Sequence, residues 1–344
     1  MSTQPISAAT TMTAVAITAP GAADVLRREE RPVPELRPGE VLIRVAVAGV
    51  NRHDIGQRRR GAAPPSARSD IPGLEVAGEV VASTSPTLAV GTRVAALTDG
   101  GGYAEFCAAD AGLCLPIPPA LPMTDAAALP EALFTIWFSL FELGGFAPGK
   151  SVLIHAAGGG VGLIGIQMAR MHGATVIATA SQPDKLAVLE RLGATAVNYR
   201  SSNVVEAVRT ATVGKGADVI LDFSGADHID QNIDAVRWGG RIVHMASGEM
   251  PSVALPLRTL MAKSAMVTGG LVRPLPLDRK RAIAQRLVAD VWPAIGSAVV
   301  PVIDSTFPLE QAADAHRRIE SRAAVGKVLL TTSAHAGAPT AKVA

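Results

Sequence analysis

The sequence predicts an α/β protein whose centre is a doubly wound parallel sheet, and three observations predict it. Strand-like and helix-like patterns alternate without a break from about residue 150 to residue 246. Glycines stand just past three of the helical runs, at Gly173, Gly193 and Gly239, where a left-handed residue ends a helix at little cost. A glycine cluster at residues 158–162 separates the first strand of the series from its helix. Serial alternation of this kind demands right-handed crossovers between parallel strands.

Ahead of that region the chain reads as all-β. Val41, Ile43, Val45 and Val47 alternate with Leu42, Arg44, Ala46 and Ala48, which suits a strand with one strongly apolar face. Short β-like runs follow at 79–82 and 93–97, between turns at Pro72-Gly73, Val90-Gly91 and Gly100-Gly101-Gly102. Short strands with frequent turns predict a barrel or a sandwich. Pro130 suits the first turn of a helix over 130–143, which Gly144-Gly145 stops. Strands are expected at 151–155, 175–179, 196–198, 218–222 and 241–246, and helices at 161–172, 183–192, 203–211 and 227–238. A helix over 278–291, a β-like run at 299–303, a helix at 309–319 and a strand at 327–331 follow. These last elements could rejoin the first domain.

Composition narrows the function. A length of 344 residues favours two domains. Hydrophobic residues make up 48% and charged residues 18%, enough apolar material for a substantial core. A net charge of +2 without a long basic run argues against nucleic acid, as do the scarce stacking platforms (7 Phe, 3 Trp and 2 Tyr). Two cysteines, Cys107 and Cys114, cannot make a disulfide framework and are read as buried thiols. The charge-free window at 151–169 carries five glycines between 158 and 165, so no membrane span is expected there. Residues 1–11 and 333–344 are expected to be flexible tails, and the protein to be soluble and cytoplasmic.

The glycine cluster points to a dinucleotide. Glycines let the backbone approach a pyrophosphate, and the helix that follows offers unpaired N–H groups and a positive dipole end. The register Ala157-x-Gly159-x-x-Gly162 is preferred over Gly160-x-Gly162-x-x-Gly165. A glycine-rich turn of purely structural use is the alternative. NAD-binding folds usually carry an acid at the end of the second strand for the ribose 2′-hydroxyl. Here that strand ends in Ser181 with Lys185 close behind, a pair that suits a 2′-phosphate and therefore NADPH.

Six segments carry a resemblance: residues 49–54 (GVNRHD), 72–78 (PGLEVAG), 102–106 (GYAEF), 130–135 (PEALFT), 155–162 (HAAGGGVG) and 198–200 (NYR). With these the chain resembles the zinc-independent medium-chain dehydrogenase/reductases, specifically their quinone oxidoreductase (zeta-crystallin-like) branch, over nearly all of residues 12–331. The resemblance implies a GroES-like β-barrel domain built from both ends of the chain, at 12–134 and 276–332. A Rossmann domain at 135–275 would lie between them, with the active site in the cleft. It also implies a homodimer, less often a tetramer, formed through the Rossmann sheet edge. Zinc-dependent relatives hold their catalytic metal with a Cys and a His where this chain has Asn51 and Leu74, and their structural zinc needs four cysteines. Neither zinc site is expected.

By the same resemblance Lys185 and Tyr199 are contacts to the 2′-phosphate, with Arg322 a third. Thr135, Gly159, Gly160, Val161 and Gly162 would contact the nicotinamide and pyrophosphate. Asn51 would orient the nicotinamide ribose or the substrate carbonyl. A tyrosine that several quinone reductases carry a few residues after Asn51 is absent, which leaves no phenol proton donor there. Asp54 is expected to hold the loop after Asn51, Glu131 to serve structure, and His53, in the same loop, to be solvated. His155 and His244 are expected in the core. Arg58-Arg59-Arg60 is read as an exposed loop rather than an anion attractor.

The function expected is metal-free, NADPH-dependent reduction of small-molecule quinones or similar conjugated carbonyls, with Asn51 donating toward the developing oxyanion or the ribose hydroxyls. The alternatives are an enone or enoyl double-bond reductase and, in another class, a non-catalytic NADPH-binding crystallin-like protein.

Overall fold

The computed structural model describes residues 11–64, 67–225, 228–246 and 252–335, so the tails expected at 1–11 and 333–344 lie almost wholly outside the described residues. Two compact units emerge. The first runs to Glu131 and resumes at Ile303, and the second spans Ala132–Val302.

The first unit is the barrel. A hairpin of β1 (Thr11–Ile17) and β2 (Leu26–Pro32) precedes β3 (Glu40–Val50), α1 (Arg52–Arg60), β4 (Glu75–Ser83), β5 (Arg93–Leu97), β6 (Phe106–Asp110), β7 (Cys114–Pro116) and α2 (Met123–Ala127). The chain returns at its other end as β14 (Ile303–Pro308), α10 (Ala312–Glu320) and β15 (Lys327–Thr331). The strand order is β14-β15-β3-β4-β5-β7, with β6 also on β3. Strand β3 pairs with β4 along one edge and with β6 and β15 along the other, and both its faces are buried, with only Arg44 exposed. The predicted alternation is therefore real, but its alanine face is covered as well.

Residues 52–60 form helix α1, where the sequence suggests an open loop. Asn51 takes an extended conformation ahead of it, Asp54 accepts the Asn51 backbone N–H at 2.8 Å, and Gly61 ends it in the left-handed region. The turn of α1 sends Arg58 inward. Its guanidinium meets Glu320 of α10 at 2.7 and 3.1 Å and the Gly21 carbonyl at 3.1 Å. The exposed-loop reading of Arg58 is thus wrong, while Arg59 and Arg60 are exposed.

The second unit is the doubly wound sheet. It contains α3 (Pro130–Ile136, which begins at the boundary), β8 (Ser151–Ile154), α4 (Gly160–Met171), β9 (Thr175–Ala180), α5 (Pro183–Arg191), β10 (Thr195–Asn198), α6 (Val204–Ala211), β11 (Ala217–Asp222), α7 (Ile229–Ala235), β12 (Val236–His244), α8 (Leu257–Ala262), β13 (Met266–Gly269) and α9 (Leu277–Asp290). The strands are parallel in the order β10-β9-β8-β11-β12-β13. The order reverses at β8, so the crevice at the carboxyl ends of β8 and β11 is the topological switch point, where such sheets bind ligands. Among the described residues no helix is long and apolar enough to cross a membrane.

Four expectations need correction. The helix over 130–143 changes at Trp137 into a π-helix, in which the Gly144 N–H reaches the carbonyl of Ser139, five residues back. The helix expected to reach Trp238 stops at Ala235, because Val236 already pairs with Ala217. Gly239 does adopt a left-handed φ, but inside β12, where the register against β11 shifts. The run at 299–303 is not a strand, since the Val300 N–H donates to the Gln167 side chain at 2.8 Å and β14 begins only at Ile303. Finally, residues 276–302 group with the sheet unit rather than the barrel. Helix α9 buries Ile283, Ala284 and Leu287, Arg279 pairs with Glu142 at 2.6 Å, and Gln167 also donates to the Val300 carbonyl.

Candidate active site

At the switch point β8 gives way to a loop at 156–159, and α4 starts at Gly160. Gly159 stands at the N-cap, and no side chain among the described residues caps the first-turn N–H groups there. A Cβ built on Gly162 would lie 2.5 Å from the Ala157 Cα and 2.6 Å from its carbonyl oxygen, so the helix sits directly on the loop. Among the described residues, a Cβ on Gly159 would meet nothing within 4 Å. Close packing at the third position and a free approach at the second are what a bound pyrophosphate requires, in the register Ala157-x-Gly159-x-x-Gly162. A Cβ on Gly158 would lie 2.6 Å from the Lys185 Cδ, so the Lys185 stem runs against the loop.

Beneath this loop lies a buried polar chain. Asp222, at the end of β11, accepts from Ser224 N and Oγ at 2.8 and 2.6 Å and from Asn232 Nδ2 at 2.8 Å. That leaves Asn232 Oδ1 facing His155 Nε2 at 2.7 Å, and an amide oxygen only accepts, so Nε2 carries the proton. Nδ1 of the neutral ring then accepts the Thr179 hydroxyl at 3.2 Å. Burial pushes the His155 pKa down, consistent with that neutral ring. His155 is therefore in the core as expected, but in a hydrogen-bonded role. Its ring stacks on His228 at 5.4 Å, which neighbours Tyr199 at 6.2 Å.

The residues singled out in the sequence fall into two groups. Gly159, Gly160, Val161, Gly162, Ser181, Lys185 and Tyr199 gather at the carboxyl ends of β8, β9 and β10, with the Tyr199 N–H bonded to the Ala180 carbonyl at 3.2 Å. Thr135, buried in α3, belongs to the same unit, and its neighbour Ile136 packs on Gly165 of α4. Asn51 and Arg322 belong to the barrel unit. Arg322, exposed just past α10 at a φ of 59°, is near Arg52, whose pKa burial and the charges of Arg322 and Arg59 push down.

Around Asn51 the barrel buries a set of charges that local sequence patterns did not reveal. Asn51 Nδ2 donates to Glu75 Oε1 at 2.9 Å, and Lys327 Nζ donates to Asn51 Oδ1 at 2.7 Å. Lys327 also pairs with Glu75 and lies 3.6 Å from Glu131 Oε2, while the Glu131 N–H donates to Glu75 Oε2 at 2.9 Å. Asp54 next door is fully buried and accepts from Gly73 N at 3.1 Å and Tyr103 Oη at 3.2 Å, besides Asn51 N. His316 continues the chain. Arg58 faces its Nδ1 at 3.4 Å and can only donate, so Nε2–H points at Tyr103 Oη, 3.0 Å away. Burial, with the Arg58 charge behind it, pushes the His316 pKa down to about 3.

Residues 37–119 match the family model of the alcohol dehydrogenase GroES-like domain, and residues 160–287 match that of the zinc-binding dehydrogenase. Quinone oxidoreductase of Rattus norvegicus is 33% identical over 306 residues, covering 87% of this chain and 91% of that protein. The chain belongs to the medium-chain dehydrogenase/reductase family. Quinone oxidoreductase of Homo sapiens, another relative of this dehydrogenase/reductase, is 30% identical over 325 residues, covering 93% of this chain and 97% of that protein. A mycobacterial protein solved in complex with NADPH superposes with a TM-score of 0.81 at 28% identity, covering 93% of this chain and 99% of that one. An NAD-dependent alcohol dehydrogenase does so at 0.79 and 31%, with the same coverage. The protein is thus an oxidoreductase of this family with a nicotinamide cofactor, for which the glycine loop is a fitting cradle. The family's zinc fits less well. Among the described residues no three His, Cys, Asp or Glu side chains converge to hold a metal ion.

Two outcomes follow from this geometry. Gly159→Ala should leave the melting temperature unchanged while weakening nicotinamide dinucleotide binding at least about tenfold in a fluorescence titration, because its methyl meets none of the described residues within 4 Å. Gly162→Ala should lose both affinity and stability, the latter by about 1–3 kcal/mol, because its methyl meets backbone. The second outcome concerns pH. Burial pushes the Asp54 carboxyl up to about 7, and the Glu75 charge adds to the rise against the three donors. The native state therefore holds this proton more tightly than the unfolded chain does. Its stabilisation is complete below about pH 4 and is lost as pH rises through 7. Melting scans should show wild type losing about 5 °C relative to Asp54→Asn between pH 4 and pH 8.

Proposed function

We propose that this protein is an NADPH-dependent reductase of quinones or similarly conjugated carbonyls that works without a metal. The observation that carries the cofactor preference is the stem of Lys185 lying against Gly158, with Ser181 instead of an acid at the end of β9. A cation beside the loop attracts a 2′-phosphate, whereas the carboxylate of an NAD site would repel it. Relatives named quinone oxidoreductase support the substrate class. Bound NADPH supplies the hydride. The glycine loop and the first turn of α4 hold the pyrophosphate, Thr135 and Val161 orient the nicotinamide, and Lys185, Tyr199 and Arg322 take the 2′-phosphate. Asn51 donates an N–H toward the substrate oxygen as charge develops there, and water supplies the proton. Quinones are electrophilic enough to accept a hydride without a Lewis acid.

NADPH and NADH oxidation should be followed by absorbance with 9,10-phenanthrenequinone and with a simple enone. The quinone with NADPH should give the highest kcat/KM. Lys185→Ala should raise KM for NADPH about tenfold and leave KM for NADH within about twofold. Asn51→Ala should lower kcat about 100-fold. Wild-type turnover in Asn51→Ala, or faster reduction of the enone, overturns the reading.

The second copy that a homodimer needs is read onto the free edge of the parallel sheet. Strand β13 ends the sheet, and Met266 (46% exposed), Met261 (76%), Leu257 (61%) and Trp238 (67%) lie on or beside it. An exposed apolar edge of this kind is a surface that a second copy would cover. Light scattering during size exclusion should give twice the mass of one chain, and Val267→Pro should shift it to one.

A further inference from the structure

The amide of Asn51 has only one orientation open to it. Its oxygen and nitrogen are nearly equal in size, so their partners decide which is which. Lys327 can only donate and lies 2.7 Å from Oδ1, while the Glu75 carboxylate can only accept and lies 2.9 Å from Nδ2. Turning the amide over would set its N–H groups against an ammonium and its oxygen against a carboxylate, exchanging two charge-assisted bonds for two repulsions. Lys327 and Glu75 also bond to each other, so the three side chains close a ring, and all three are buried.

The ring is itself braced. Glu75 uses its other oxygen to accept the Glu131 N–H, and the Glu131 carboxylate faces Lys327 at 3.6 Å. The three protons of the ammonium thus face three acceptors: Asn51 Oδ1, Glu75 Oε1 and Glu131 Oε2. Burial pulls Lys327 toward neutrality, but the charges of Glu75 and Glu131 outweigh it and hold its pKa above the ordinary value. A lysine so committed keeps its proton and acts on its neighbour rather than on substrate.

We propose that Lys327 and Glu75 are positioning residues for the reduction: together they lock the Asn51 amide so that position 51 offers a second Nδ2–H as donor. The inference rests on the role of Asn51 proposed above, and the exchange of the Asn51 side-chain amide protons, read without turnover, separates the two.

Glu75→Gln should lose at least about tenfold in kcat while KM for NADPH stays within about twofold. In the cofactor-free protein, the Asn51 side-chain amide protons should be protected from exchange in 1H–15N spectra of wild type and lose that protection in Glu75→Gln. Wild-type kcat in Glu75→Gln overturns the inference, as does unchanged amide protection in that variant. Should Glu75→Gln not fold, the same two readouts in Glu75→Asp, whose shorter carboxylate falls short of the Asn51 amide, decide. Full activity in Asn51→Ala would overturn the function reading instead, and the spectra would still test the lock.

Discussion

The barrel depends on one buried cation. Lys327 opens the last strand, 252 residues beyond its partner Glu75 and 276 beyond Asn51, and is only 4% exposed. Taking an ammonium and a carboxylate out of water costs several kcal/mol per ion, recovered only if geometry and extra hydrogen bonds are good. Here β15 must pair with β3 for the compensation to exist, as Val328 does with Val50 and Leu330 with Ala48. The apolar strand and the buried charge at its start therefore enforce the same register, since a slip of one residue would leave the ammonium without its acids. The long insertion between the two halves is tolerable because loop-closure entropy grows slowly, by only about 0.6 kcal/mol per doubling of length.

A second constraint runs through the same unit. Arg58, His316, Tyr103 and Asp54 form a chain in which every donor points one way, and Arg58 sets the direction because a guanidinium has nothing to accept with. The chain ends on the carboxylate that receives the Asn51 N–H at the start of α1. It ties α10, the Tyr103 segment and α1 to one another without any charge reaching solvent except through Glu320. In the sheet unit, Asp222, Asn232, His155 and Thr179 do similar work under the glycine loop. Both chains fix the tautomer of a buried histidine by the same logic of partners that cannot change role.

How much of this was legible in the sequence follows from the range of each interaction. The parallel series was legible because strand, helix and stop glycine are all local signals, and Gly173 and Gly193 took the left-handed conformation at helix ends. The glycine loop between β8 and α4 was legible for the same reason. Strand β2 was hidden by its own composition, since LRREERP shows no apolar face until β1 covers it. Helix α1 was hidden because three consecutive arginines reveal nothing of the phase that buries Arg58 and exposes its neighbours. The domain edge at 302 rather than 275 turned on Gln167 reaching Val300, a contact across 133 residues. Glu75 and Lys327 were the largest omission in the site. Their only local trace is a charged residue at the border of an apolar strand, which by itself reads as a solvated strand end.

The charge balance around position 51 explains why an amide stands there. Glu75 and Glu131 bring two carboxylates against the single ammonium of Lys327, and Asp54 adds a third when it ionises. An aspartate at 51, with Glu75 unchanged, would satisfy Lys327 but repel Glu75 in a site already short of positive charge. A leucine of similar size would leave both partners without their hydrogen bond, at about 1–3 kcal/mol for each neutral group and more for a charged one. A histidine or lysine would bring charge or bulk that the ring has no room to bond. Asparagine alone among side chains of its size presents an acceptor to the ammonium and a donor to the carboxylate from one rigid plane. The same plane keeps one N–H uncommitted by the ring, and that leftover is what makes a residue so deeply tied into structure available for chemistry.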